Sequence, residues 1–509
     1  MRTRPPLDRS SSPATRVLFL RTIGFTALLI GCRAAWLYHA AGLTLSHYDA
    51  RAHLVVARRV IDNLTPGWRQ LGAIWLPLPH LINVLPVQID AFYRTGAFAV
   101  AVSVVAFAIT AWGLARIAAR ATGSPTAAVA AAAVFALNPA VLYLQSTPMT
   151  EALLICLLVL AIAFTYDWLE DTTVRNTRRA GCAIAAACLT RYEAWPVTGA
   201  LLAVAILVLW RRGMTPGKAM RQVWRLAAYP AIGVAAFLLE SHLTIGRWFV
   251  TGGFFVPDNI DTGNPVHAVA SIWWGAHVVG GHAVEWAATA GAIACIAAAW
   301  RDRRRSALLA PLALLAVGAL PAYAFFNGHP FRIRYMTPLV PALAVFAGLG
   351  VGLLRGWPRR AAAVLLIGLA LVETPPFDLR SPMVLEAQWD TGNSAARREV
   401  TRYLAGHYDG RTIMASMGSL AHYMQELSRA GLALRDFLHE GNGDIWLAAL
   451  ADPRPHVGWI LIEEQAAGGD RLARIVRREP RFLDGFERVA EGGGVALYRA
   501  SGAGREWGR

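Results

Sequence analysis

Residues 44–80 read TLSHYDARAHLVVARRVIDNLTPGWRQLGAIWLPLPH, between two long apolar runs. Asp49, His53, Arg58, Arg59 and Asp62 stand there among large apolar side chains. The spacing predicts a helix over 51–63. Leu54, Ala57, Ile61 and Leu64 form an apolar stripe, and Arg58 and Asp62 are four apart and able to pair. The expected element is an amphipathic helix lying along the outer membrane interface. Asp49 stands near its start, where a carboxylate is electrostatically favoured. Trp68 and Trp75 suit the headgroup level. From spacing alone, Asp49 as a simple helix cap with His53 packed beside it is an equal reading.

The rest of the chain explains why this stretch is unusual. Its 509 residues are 55% hydrophobic and 16% charged, against about 25% charged in soluble proteins. Several apolar runs reach the ~20 residues that cross a bilayer. The net charge of +16 sits largely in short linkers, RRGMTPGKAMRQVWR (211–225), RDRRR (301–305) and RGWPRR (355–360). That placement follows the positive-inside rule and removes the case for a nucleic-acid partner. All five cysteines, Cys32, Cys156, Cys182, Cys188 and Cys295, lie in apolar runs, so neither a disulfide framework nor a zinc site is expected. LIGC at 29–32 reads as a small-residue patch in a first span rather than a lipoprotein cleavage box.

The expected fold is mainly α and polytopic, with about eleven spans. They cover 17–38, 95–114, 127–144, 151–166, 180–190, 195–210, 226–243, 283–300, 306–326, 335–354 and 361–372. The short run at 180–190 is expected to continue outward through RYEAW. Residues 1–16 form a disordered basic cytoplasmic tail, and 17–375 a membrane core whose first external loop spans 39–94. An odd number of crossings puts 376–500 outside the cytoplasm. There RREVTRYLAGHY, SLAHYMQELSRA and DRLARIVRRE read as helices, and RTIMAS, VGWILIEE and GVALYRA as strands. That alternation predicts a small α/β domain, with 501–509 a loose tail.

On this topology a second set of polar residues collects at the outer ends of the spans. Glu151 opens a span after QSTPMT. TRYEAW holds Arg191, Tyr192 and Glu193, and GHPFRIRY holds His329, Arg332, Arg334 and Tyr335. Charge at membrane depth is costly and usually functional. Acids and bases from separate loops on one side suit an anionic, lipid-attached substrate, with arginines on a phosphate and a carboxylate as base. Singly, each has an ordinary alternative: Glu151 as a cap, Arg191 with Glu193 as a local ion pair, Arg332 and Arg334 as side chains reaching to headgroups.

With these residues in place, the chain resembles the integral-membrane glycosyltransferases of the C superfold (GT-C). In particular it resembles bacterial relatives of the protein O-mannosyltransferases and of the aminoarabinose transferase that modifies lipid A. The likeness rests on Asp49 in SHYDARAH within a long first external loop, on interfacial helices there, on the many-span core over 17–375, and on an outer C-terminal domain. It implies an inverting transfer of sugar from a polyprenyl-phosphate carrier to an acceptor hydroxyl outside the cytoplasm, at a bacterial inner membrane. It casts Asp49 as general base and Glu151 as a second acidic residue of the catalytic site, contacting acceptor or sugar hydroxyls. An ionised phosphate leaves without a strong general acid, so no acid–base carboxylate pair of the glycosidase kind is needed. The implied phosphate and substrate ligands are Arg191, Arg332 and Arg334 with Arg58 or Arg59, together with His53, Tyr192, Glu193, His329 and Tyr335. Lysine is almost absent, so any phosphate clamp is arginine or backbone. No cofactor is expected. Asp49, His53, Glu151 and His329 include metal-ligand types but lack compact spacing, so a divalent metal is not favoured.

The aromatic, glycine-rich loop at 244–268 reads as a lid over the site or as an interfacial aromatic belt, with Trp248, Phe254 and Phe255 as its contacts. Expected partners are a lipid-linked sugar donor, membrane lipids, and an envelope glycan, glycolipid or protein acceptor, with the protein a monomer. The competing class is a transporter or flippase of a lipid-linked anion. That class usually shows internal repeats and midplane charges; here no repeat is evident and the charges gather at one interface. A structural membrane protein presenting the C-terminal domain is the other rival.

Overall fold

The computed structural model describes residues 13–248, 259–465 and 469–501. The tail residues 1–12 and 502–509 and the segment 249–258, which includes Phe254 and Phe255, lie outside it. Among the described residues, eight helical segments are long and apolar enough to cross a membrane. They are Ala14–Ala40, Ala97–Thr122, Glu151–Glu170, Ala194–Arg211, Pro216–Ile245, His282–Arg301, Arg303–Phe326 and Ile333–Leu353. The other three expected spans are helical but fall short by length or composition. Pro125–Ala136 stops before Asn138, which caps a new helix, Pro139–Leu144. Val174–Cys188 carries arginines in its first half and extends away from RYEAW, not through it. Gly356–Glu373 has Arg359 and Arg360 in its first turn and Glu373 in its last.

Small residues let the helices approach closely. His282–Arg301 crosses Val340–Leu353 at Gly291 and Gly350. A Cβ added to Gly291 would stand 2.0 Å from the Phe346 carbonyl oxygen. Polar groups mark the two ends of the bundle. At one end Arg116 and Arg120 both bind Asp167, and Arg212 binds Glu170 and the Leu169 carbonyl. At the other, Arg191 binds Glu151, and Arg334 binds Asp49.

The C-terminal region folds around a five-stranded sheet of order β2-β1-β3-β5-β4. Its strands are β1 (Ile413–Ala415), β2 (Phe437–Leu438), β3 (Trp459–Glu463), β4 (Phe486–Gly492) and β5 (Val495–Ala500). β1, β2 and β3 are parallel, and β4 and β5 close the sheet as an antiparallel hairpin. Successive side chains alternate between faces. Met414, Ile460 and Ile462 pack on one side with Trp446 and Leu472. On the other side Ile413, Ala415, Trp459 and Leu461 share a core with Ala52, Leu54, Val55 and Ala57 of the first loop.

That shared core changes the reading of residues 44–80. The helix there runs Tyr48–Arg58, shorter than expected, and Ala52 through Ala57 are all buried. It does not lie against lipid. Leu420–Leu427 packs on it from one side and Leu78–Asn83 from the other, while Ile61 and Leu64 of the expected stripe are exposed.

Three polar residues of this loop, Asp62, Asn63 and Gln70, hold the C-terminal region. Asp62 accepts the backbone N–H groups of Leu434 and Arg435 at 3.3 and 3.2 Å. Asn63 lies 2.9 Å from His439 Nε2 and accepts from Asn442 at 2.7 Å, and Gln70 donates to the Gly441 carbonyl at 2.8 Å. Buried polar groups need partners of this kind, and here the partners are some 370 residues away in the chain.

Candidate active site

The helix Tyr48–Arg58 begins with His47, whose Nδ1 accepts the Asp49 N–H at 3.0 Å. This cap aims the Asp49 carboxylate at Arg334, and the two form an ion pair in which both side chains are mostly buried. Arg334 also donates to the Tyr335 hydroxyl at 2.9 Å and sits over its ring. The strand-like entry to this segment is held by Glu386, whose carboxylate accepts the backbone N–H groups of Ile333 and Arg334 at 2.6 and 3.3 Å. Burial would raise the Asp49 pKa. The Arg334 guanidinium outweighs it and holds the carboxyl below the ordinary carboxylate range. Burial likewise pushes His47 down to about 3, so its ring stays neutral.

This pair stands at the edge of a cavity of about 510 Å³. The membrane-side wall carries Asp49, His329, Arg332, Arg334 and Tyr335, with Glu386 and Trp389. The opposite wall belongs to the C-terminal sheet: Ser416, Gly418 and Ser419 after β1, Glu440 after β2, and Asp470, Arg471 and Arg474 beyond β3. The cavity thus opens at the carboxyl ends of three parallel strands, where α/β sheets commonly bind ligands.

Its charges are unevenly engaged. Glu440 accepts the Met417 N–H at 2.6 Å, and Asp470 takes the Ser419 hydroxyl at 2.6 Å and caps the helix Arg471–Arg478. The lining holds four arginines and four carboxylates, and among the described residues Arg332, Arg471 and Arg474 form no ion pair, which leaves three guanidiniums able to meet an anionic group.

Five of the residues singled out from sequence line this cavity: Asp49, His329, Arg332, Arg334 and Tyr335. Glu151, Arg191 and Glu193 form a separate buried triad. Arg191 lies 2.9 Å from Glu151 and 2.6 Å from Glu193, and donates to Thr150 at 3.0 Å. With two carboxylates around it, this guanidinium is committed and does not line the cavity. It is near enough to Arg334 for the two to repel.

His53 is buried against His80 Nε2 at 3.0 Å and against Trp75, and burial holds its pKa well below the ordinary value. Tyr192 donates to the Ala73 carbonyl at 3.2 Å. Arg58 pairs with Asp62 and Asp90 and covers Tyr93. Arg59 is buried with its guanidinium on the Gln70 carbonyl at 2.5 Å. None of these four lines the cavity: their partners belong to the first loop itself or to its neighbours, and they shape it. Sequence reasoning missed His47, Glu386 and the whole C-terminal wall. The small-residue turn ASMGS directly after a strand was the available signal.

The comparisons with known proteins follow this geometry. ArnT from Cupriavidus metallidurans, solved bound to undecaprenyl phosphate and in the apo state, superposes with a TM-score of 0.57 at 13% identity. The alignment covers 96% of this chain and 98% of ArnT. The chain shares the fold of ArnT. The oligosaccharyltransferase of Archaeoglobus fulgidus in its apo form aligns with a TM-score of 0.51 at 12% identity, over 87% of this chain and 69% of that one. The family model described as dolichyl-phosphate-mannose-protein mannosyltransferase matches residues 91–227. That segment contains the Glu151–Arg191–Glu193 triad but neither Asp49 nor Arg334. No curated protein matches the sequence.

Proposed function

We propose that this protein is an inverting glycosyltransferase that moves a sugar from a polyprenyl-phosphate carrier to an acceptor hydroxyl at the outer face of a bacterial cytoplasmic membrane. The observation that carries the reading is the Asp49–Arg334 pair in a cavity walled on one side by the membrane core and on the other by the C-terminal sheet. The GT-C fold adds to it, as do the undecaprenyl phosphate held by ArnT and the mannosyltransferase match.

Eleven crossings fit the packing. The first loop and the C-terminal region share a core, so they stand on one side, and an even number of crossings must separate them. Seven of the eight long segments lie between them, which is odd. Adding 125–144, Val174–Cys188 and Gly356–Glu373 gives ten, and with the first span eleven. The basic linkers then all face the cytoplasm, and 376–500 lies outside.

In the reaction, Arg332 and Arg334 receive the donor phosphate, with Tyr335 beside it. As Arg334 turns from Asp49 to the phosphate, Asp49 loses the positive charge that depresses its basicity and becomes the acceptor's base. The acceptor oxygen attacks the anomeric carbon as the bond to the phosphate oxygen breaks. The acceptor proton goes to Asp49, and polyprenyl phosphate leaves as its anion, stabilised by arginine. Direct displacement inverts the anomeric centre. The Glu151–Arg191–Glu193 triad supports the site from behind rather than touching the substrate. Arg471 and Arg474 face the acceptor.

The test is transfer in liposomes from a panel of radiolabelled polyprenyl-phosphate sugars to host envelope extract. Labelling of one acceptor fraction from one donor is expected. Folded protein that transfers from none of the monophosphate donors overturns the proposal.

A further inference from the structure

Away from the cavity, His277, His282 and Glu285 bring three ligand atoms within 4.8 Å of one another. They flank a tight corner. The helix Pro265–Gly280 ends at Gly281, which takes φ +78°, and His282–Arg301 begins at once. The Gly281 N–H returns to the His277 carbonyl at 2.8 Å, and the Glu285 N–H returns to Gly281 at 3.1 Å. Glu373 presses on the corner from outside and accepts the Ala283 N–H at 2.9 Å. A side chain at Gly281 would collide with it.

Glu285 is only 3% exposed, and its Oε1 has no hydrogen-bond partner among the described residues. Leaving a buried carboxylate oxygen without a donor is costly. Its other oxygen lies 3.3 Å from His277 Nδ1. Ligand atoms around a tetrahedral zinc stand roughly 3.3–3.5 Å apart, so that pair already has the spacing. The third ligand, His282, is exposed and leaves a route from solvent. The far end of its helix runs into the basic 301–305 linker, which puts this corner on the outer side.

We propose that His277, His282 and Glu285 form a structural site for a divalent ion of the zinc type, with water completing the shell. Two imidazoles and one carboxylate select borderline first-row ions over magnesium or calcium. The ion ties Pro265–Gly280 to His282–Arg301. Gly275 of the former abuts Met336 and Phe331, on either side of Arg332 and Arg334. The ion therefore braces the cavity wall and takes no part in the chemistry.

Tag-free full-length protein in detergent, stripped with chelator, would be titrated with Zn²⁺ and with Co²⁺ as a spectroscopic probe. One equivalent of zinc, a four-coordinate cobalt absorption band and a raised melting temperature are expected. His282→Ala, at an exposed position that folding tolerates, should weaken zinc binding by more than the ~10–100-fold that loss of an outer partner costs. His277→Ala should do the same. No stoichiometric binding at micromolar zinc, or binding unchanged in both variants, overturns the proposal.

Discussion

Asp49→Asn replaces one carboxylate oxygen with an amide nitrogen beside Arg334. Two consequences can be separated by size. Removing one partner of a buried ion pair costs 3–5 kcal/mol when nothing compensates. Here the side chains are 13% and 15% exposed beside an open cavity, and asparagine keeps a carbonyl that can accept from Arg334. The loss of stability should therefore be about 1.5–3 kcal/mol, the scale of a hydrogen bond to a charged group. A general base contributes about 10²–10⁴-fold to rate, or roughly 3–5 kcal/mol of barrier. The variant should fold with a lowered melting temperature and lose at least ~100-fold in kcat. Its donor KM should hold or fall, because Arg334 is no longer tied to a carboxylate and meets the phosphate unpaired. The assay is single-donor transfer in liposomes across donor concentrations, with thermal unfolding run in parallel. Transfer within about fivefold of wild type would refute Asp49 as base. A raised donor KM with unchanged kcat would place Asp49 in donor binding.

Glu386 holds the backbone of Arg334; Glu386→Ala should reduce transfer at least ~10-fold by misplacing the guanidinium, since small displacements in an active site can cost ~100-fold, and Glu386→Gln, which keeps one acceptor oxygen, should recover part of it. Gly291→Ala drives a methyl group into the Phe346 carbonyl and should destabilise the bundle by about 1–3 kcal/mol, read as a fall in melting temperature in detergent. Burial, with the Arg59 charge adding to it, pushes His80 down to about 4 and His439 to about 3. Below a pH of about 6.5 the unfolded chain takes up protons that the native rings refuse. Stability is therefore full above that pH and falls as acid is added, by about 1.4 kcal/mol per histidine per unit. Unfolding temperatures at pH 7.5 and 5 check this, and a smaller drop in His439→Gln than in wild type is the expected signature.

Eight of the expected spans, those long and apolar enough among the described residues, were legible because apolar runs and basic linkers are local signals. The three segments that fall short by length or composition are those where proline or charge interrupts the run. SHYD and FRIR stand out in the sequence because charge is rare in such a chain, and Asp49, Arg332 and Arg334 from them line one cavity. That same rarity misled the reading of Arg58 and Arg59. Their partners, Asp62, Asp90 and the Gln70 carbonyl, are nearby in sequence, but their purpose is to shape a surface for residues beyond 430. Periodicity cannot report a contact across that distance, and the tilt of the helix toward protein rather than lipid went unseen for the same reason. The C-terminal wall of the cavity escaped for a related cause. Ser416, Glu440 and Asp470 look like ordinary loop residues until three parallel strands bring their ends together.

The docking network between the first loop and the C-terminal sheet also sets an order of assembly. Asn63 and His439 are separated by 376 positions. At the usual pace of synthesis, roughly 5–20 residues per second, the first loop emerges about 20 to 75 s before its partner exists. Through that interval Asp62, Asn63 and Gln70 have only their local partners, Arg58 and Thr65, and water to bind, and the apolar face of Tyr48–Arg58 lacks its C-terminal cover. The cavity cannot form until the last strand has been delivered. A truncated chain would therefore carry Asp49 and Arg334, yet leave their cavity without its opposite wall: the cavity is closed by the chain's own final segment.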